Sequence, residues 1–138
     1  MGRNSITVIG LGFVGLPLAL SFAMKGHKVM GLDVNESLVA GLNQGDTDCL
    51  EQYHGCSARD ILRKALKYGT FKATTDYQEA AAESNAFIVT VGLPVQRQTP
   101  NLEFLESCVT DLGRVMKQGD LVLIRSTVVP GPNSERIV

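Results

Sequence analysis

The run Ser5-Ile6-Thr7-Val8-Ile9-Gly10-Leu11-Gly12-Phe13-Val14-Gly15 leaves little choice of local structure. Its first five residues are rich in β-branched side chains, which suits a buried strand, and glycines follow at once, which suits a tight turn. Over residues 13–25 apolar side chains occur almost all round the helical wheel, as in a helix packed on a sheet, and Gly26 stands where it can end that helix. Pro17 falls close to the helix start, where a missing N–H costs least. Strand, glycine turn and helix in that order open a parallel α/β fold.

The rest of the chain continues the alternation. Residues 28–32 read as a second strand closed by Asp33, and Asn35 or Ser37 can cap a helix that ends near Asn43-Gln44-Gly45. Residues 46–57 are polar and irregular. Ile61, Leu62, Ala65 and Leu66 predict a helix over 58–68 with Gly69 as its stop, and residues 71–74 form a weak strand. A short alanine-rich helix over 77–83 precedes a nearly continuous apolar run at 86–91, the pattern of a strand covered on both faces. Leu105, Cys108, Val109, Leu112, Val115 and Met116 share one helical face over 102–116, and residues 121–125 make a fifth strand. The expectation is a Rossmann-type, doubly wound parallel sheet with right-handed crossovers and strand order 3-2-1-4-5. A sixth strand would be cut off or begin after residue 138, so residues 1–138 are expected to form one dinucleotide-binding domain.

Charge excludes some partners. Thirteen basic residues nearly cancel fourteen acidic ones, so there is no excess to attract a nucleic acid or an acidic membrane surface. The apolar stretch at 16–24 is interrupted by Ser21 and is far short of the roughly 20 residues of a membrane span, so the expected location is the cytoplasm. Cys49, Cys56 and Cys108 show no paired spacing, which points to reduced structural thiols and to no metal site.

The chemistry is concentrated at the first turn. Gly10-Leu11-Gly12-Phe13-Val14-Gly15 fits G-x-G-x-x-G in the strand-to-helix context that gives the pattern meaning. Gly10 permits the turn, Gly12 lets backbone approach a pyrophosphate, and Gly15 lets the helix lie close on the strand. The N–H groups of Phe13 and Val14, at the positive end of the helix, would face the phosphates. Asp33 stands 33 − 15 = 18 positions after the last glycine, where its carboxylate can accept from ribose hydroxyls. A 2′-phosphate there would meet like charge, so NAD is favoured over NADP.

Beyond the glycine loop, the segments GLGFVGLPLAL (10–20), GLDVN (31–35), LNQG (42–45), VGLP (91–94) and RSTVVPG (125–131) fall in an order and spacing that resembles the nucleotide-sugar dehydrogenases, the family of UDP-glucose and UDP-N-acetylmannosamine 6-dehydrogenases. The resemblance covers essentially the whole chain. It implies an N-terminal NAD-binding domain, with the central helical and sugar-binding domains absent from this chain, and homo-oligomers in the full-length proteins. It also implies the reaction, oxidation of the sugar C6 alcohol to a carboxylate in two hydride transfers through cysteine-bound intermediates. Carried onto this sequence, it gives cofactor roles to Gly10, Gly12, Phe13, Val14, Gly15, Asp33, Val34, Asn35, Val91, Gly92 and Leu93. Thr127 takes the place of a threonine near the nicotinamide that supports catalysis. Leu93 stands where the family usually has threonine, Leu38 where lysine or arginine is common, and Pro130-Gly131-Pro132-Asn133-Ser134-Glu135 replaces the usual turn. No segment resembles the family's glycine-rich motif around the nucleophilic cysteine, and His27 and His54 take no role. A stand-alone NAD-sensing module, or the cofactor domain of a 3-hydroxyacyl-CoA or 6-phosphogluconate type dehydrogenase, stays open as an alternative, although the RSTVVPG turn argues against the latter.

Overall fold

The structure, a computed structural model, describes residues 5–12, 14–47, 52–53, 55–90, 95–96, 99–100 and 103–125. Five strands, β1 (Ser5–Ile9), β2 (Val29–Leu32), β3 (Phe71–Thr74), β4 (Ser84–Val89) and β5 (Leu121–Ile124), form one sheet in which every pairing is parallel. Counting only this sheet's strands, the order across it is β3-β2-β1-β4-β5, the doubly wound pattern expected from the alternation. Five helices connect them: α1 (Gly15–Met24), α2 (Glu36–Asn43), α3 (Ala58–Tyr68), α4 (Tyr77–Glu83) and α5 (Glu103–Val115). The region expected to be irregular contains a small antiparallel pairing of Gln52–Tyr53 with Cys56–Ser57, and a second pairs Val95–Gln96 with Thr99–Pro100. Such two-residue ladders carry too little periodicity to be read from sequence. Residues 126–138, expected to lead toward a sixth strand that is cut off or begins after residue 138, lie outside the described residues.

Alternation along the strands divides the core between the two faces of the sheet. Val8, Val29, Phe71 and Ala73 pack with Leu16, Leu20, Leu42, Ile61 and Leu62 of α1, α2 and α3. Ile9, Met30, Leu32, Phe87 and Val89 pack on the opposite face with Ala80, Ala81, Cys108 and Leu112 of α4 and α5. Leu20, Leu32, Leu42, Leu62 and Val89 are completely buried, each contributing on the order of 2 kcal/mol of transfer free energy. One polar pair is buried with them: Thr7 Oγ1 donates to Ser84 Oγ at 2.6 Å, tying the start of β4 to the middle of β1.

The free edge at β3 is partly closed by a side chain. Asn43, at the end of α2, accepts from the Ala73 N–H and donates to the Ala73 carbonyl, both at 2.9 Å, so its amide stands in for a neighbouring strand. This gives the LNQG segment a physical role in the fold.

Candidate cofactor site

The site lies at the carboxyl ends of β1 and β2, beside the point where the strand order reverses between β1 and β4. Gly10 leaves β1 with φ of 93°, a left-handed conformation that a side chain would strain. Gly15 is required by packing: a Cβ there would fall 1.6 Å from the Gly10 carbonyl oxygen and 2.5 Å from Thr90 Oγ1. Gly12 is different, because a Cβ added to it would meet nothing within 4 Å. Its backbone is exposed, with no positive φ to demand glycine. The protein itself therefore has no packing reason for glycine at this position, and the space in front of its Cα is free for a ligand to approach.

Asp33 follows β2 and is half-buried beside this loop. Its Oδ2 accepts from the Leu11 N–H at 2.8 Å and its Oδ1 from the Asn35 N–H at 3.0 Å. Each bond uses one lone-pair direction of its oxygen, which leaves further acceptor capacity directed outward. Asn35 in turn caps α2, its Oδ1 accepting from the Leu38 N–H at 3.1 Å. Val34 between them is 75% exposed, an apolar side chain held out at the rim.

A cleft of ≈ 170 Å³ runs from Gly10 and Gly12 past Asp33 and Val34 to Tyr77 and Cys108 on α4 and α5. The Tyr77 hydroxyl and the Cys108 thiol share a hydrogen bond, and burial pushes the Tyr77 phenol far above its usual range. Burial also raises the Cys108 thiol, with the Tyr77 bond acting in the opposite direction. Cys108 is thus a protonated structural thiol, as its place on the apolar helix face implied. Cys56 is exposed near the start of α3, and His27 is exposed beside Phe22. Among the described residues no group of three His, Cys, Asp or Glu side chains could hold a metal ion, and no helix is long and apolar enough to cross a membrane.

Of the expected cofactor residues, Gly10, Gly12, Asp33 and Val34 line the cleft, while Gly15 packs on Gly10, Asn35 donates its N–H to Asp33, and Val14 precedes α1 with an exposed side chain. Phe13, Val91, Gly92, Leu93 and Thr127 lie outside the described residues, as do Cys49, His54 and the 130–135 turn. Sequence reasoning missed Thr90, whose Oγ1 lies 2.7 Å from the Gly10 carbonyl and 3.0 Å from that of Ile9. Nothing in the local pattern of β4 distinguishes it from a strand-end threonine, because its partners are 80 and 81 positions away. Tyr77 was likewise hidden in an unremarkable short helix.

Comparison with known proteins gives this geometry a family. Residues 4–138 match the NAD binding domain of the UDP-glucose/GDP-mannose dehydrogenase family. The UDP-N-acetyl-D-mannosamine dehydrogenase of Pyrococcus horikoshii is 36% identical over 126 residues, which span 91% of this chain and 29% of that protein. The UDP-N-acetyl-D-glucosamine 6-dehydrogenase of Pseudomonas aeruginosa is 36% identical over 134 residues, covering 96% and 29%. Among solved structures, a ternary complex of GDP-mannose dehydrogenase from Pseudomonas aeruginosa superposes with a TM-score of 0.84 at 27% identity, covering 96% of this chain and 30% of that one. The chain thus spans about 30% of the length of the relatives it matches. With a glycine turn, a carboxylate at the exit of β2 and a doubly wound sheet, and matched over residues 4–138 by the family's NAD binding domain, this chain belongs to the UDP-glucose/GDP-mannose dehydrogenase family.

Proposed function

We propose that the chain seats the NAD pyrophosphate over Gly10, Gly12, Phe13, Val14 and Gly15 and the adenosine ribose on Asp33, Val34 and Asn35. The observation that carries this reading is the free space at Gly12, a glycine for which the fold has no packing use. The cleft beyond Asp33, with Ile9 and Leu32 in its lining and Val34 at its rim, suits the flat apolar faces of a purine. Val91, Gly92, Leu93 and Thr127 would serve the nicotinamide end at the close of β4 and β5, with Thr127 supporting catalysis. The bound cofactor supplies a hydride acceptor; the chain's own groups bind it, orient it and choose it over NADP.

On the same reading the chain, as a domain over residues 1–138, works with a central helical and a sugar-binding domain. The complete enzyme would oxidise the C6 alcohol of a nucleotide sugar to a carboxylate in two hydride transfers, as a cytoplasmic homo-oligomer. The relatives named above act on different sugars, and the residues that would select among them belong to the sugar-binding part.

Titration calorimetry tests the cofactor reading directly. NAD should bind more tightly than NADP, and equal or reversed preference would remove the ribose role of Asp33. Gly12→Val should weaken NAD about 100-fold, by displacing a phosphate from charge-assisted backbone hydrogen bonds, while leaving thermal stability near that of the unaltered protein. An unchanged affinity would show that the pyrophosphate sits elsewhere.

A further inference from the structure

The peptide group joining Gly10 to Leu11 is gripped at both ends by side chains remote in sequence. Its carbonyl oxygen accepts from Thr90 Oγ1 at 2.7 Å, and its N–H donates to Asp33 Oδ2 at 2.8 Å. The carbonyl and N–H of a trans peptide point in opposite directions within one plane, so the two bonds together fix the tilt of that plane. Thr90 follows β4, Asp33 follows β2, and the peptide itself follows β1. Three adjacent strands of the sheet therefore converge on a single peptide group.

The choice of acceptor at Thr90 is decided by its own backbone. The Thr90 N–H already donates to the Ile9 carbonyl at 2.8 Å, which leaves the hydroxyl proton for Gly10 O, the nearer of its two acceptors. The start of α1 packs closely on this pair, since a carbon added at Gly15 would lie 1.6 Å from Gly10 O and 2.5 Å from Thr90 Oγ1. Hydrogen bonds in series also polarise one another, so loss of the Thr90 bond weakens the Leu11 N–H as a donor to Asp33.

We propose that Thr90 is a positioning residue for cofactor selection: through the Gly10–Leu11 peptide it holds the Asp33 carboxylate in the orientation that receives a ribose diol. This rests on the reading of Asp33 as the ribose acceptor. Without the hydroxyl the peptide is free to tip, the Leu11 N–H leaves Asp33, and the carboxylate loses one of its two backbone anchors. Binding of NAD, which uses that carboxylate, then falls. NADP, which the carboxylate repels, is affected much less.

The test is calorimetric titration of NAD and NADP into the unaltered protein, Thr90→Val and Thr90→Ser, with thermal melts and amide exchange alongside. Thr90→Val should weaken NAD about tenfold and NADP little, so that the preference for NAD narrows, and Thr90→Ser should restore both values. Should Thr90→Val not fold, Thr90→Ala carries the same expectation. In the unaltered protein the Leu11 amide proton should exchange slowly. Equal weakening of both dinucleotides, failure of serine to rescue, or rapid exchange at Leu11 would each overturn the proposal. Asp33→Ala separates the two readings: if it leaves NAD binding intact, the ribose role itself has failed, whereas if it abolishes the preference while Thr90→Val does not narrow it, only the role of Thr90 has failed.

Discussion

Helices α2, α3 and α4 each carry their own anion and their own cap at the start, whereas α1 carries neither. Asn35 caps α2 with Glu36 in its first turn, Ser57 caps α3 with Asp60, and Asp76 caps α4 with Glu79. At α1 the capping position is Val14, whose side chain makes no cap hydrogen bond and is 53% exposed, and no acidic residue occupies the first turn. Three helix starts are thus satisfied from within the chain, by side chains that accept from orphan N–H groups and complement the positive pole. The fourth is satisfied only in part, and it is the one that follows the glycine turn. Among the four helix starts that the described residues include, α1 alone relaxes these local rules, as sequences do at functional sites.

The strongest way to break this contrast is to prevent α1 from docking at all. Gly15→Ala puts a methyl group 1.6 Å from a backbone carbonyl oxygen, and neither the strand end nor the first turn of α1 can yield without disturbing the buried Leu16, Ala19 and Leu20 behind it. A loss of about 3 kcal/mol or more is expected, read as a fall in the denaturant midpoint. Gly12→Ala, three positions earlier in the same motif, should change stability by less than about 0.5 kcal/mol, since it meets nothing. If the two alanine variants were equally stable, the division of the motif into a packing glycine and a ligand glycine would be wrong.

That division also shows what the sequence made legible. The five strands and five helices were readable because each carries its own periodicity and its own stop, from the β-branched run at Ser5–Ile9 to the left-handed Gly69 that ends α3. Asp33 was readable by its spacing from the glycine turn. Its hold on the Leu11 N–H was not, since that contact joins residues 22 positions apart, and the Thr90 bond to Gly10 spans 80. Asn43 belonged to a recognisable segment, yet its pairing with Ala73 across 30 positions appears only once β3 is laid against α2. Contacts of this kind depend on which strands become neighbours, and no local pattern encodes that.

A milder perturbation sharpens the contrast from the other side. Asn35→Ala removes the cap of α2 and should cost about 1 kcal/mol in stability. Ser57→Ala should cost a similar amount at α3, where the lost bond is to the Asp60 N–H. Dinucleotide affinity should be unchanged in Ser57→Ala, because α3 begins away from the cleft. Asn35→Ala should weaken NAD slightly, because the Asn35 backbone anchors Asp33 Oδ1 and its cap fixes that backbone. Equal dinucleotide affinity in both would place Asn35 among the purely structural caps.

The smallest effect is expected at α4, where the first-turn anion is also part of a surface network. Glu79 accepts from the Thr74 hydroxyl at 2.8 Å and pairs with Lys72 at 2.5 Å, and these contacts hold its carboxyl below the usual carboxylate range. The same glutamate raises the Lys72 ammonium above its usual value. A depressed carboxylate stabilises the fold above its ordinary pKa and loses that contribution as pH falls through the lowered value. A raised ammonium stabilises below its ordinary pKa and loses its contribution as pH climbs through the raised value. Both are therefore charged across the neutral range. With Lys72 59% and Glu79 35% exposed, solvent screens the pair to below about 1 kcal/mol. Melts of Glu79→Gln against the unaltered protein should differ by a degree or two near neutrality and converge in acid, where both side chains are uncharged. A gap that persisted into acid would assign the effect to the Thr74 hydrogen bond, which glutamine keeps only in part, and not to charge at the helix start.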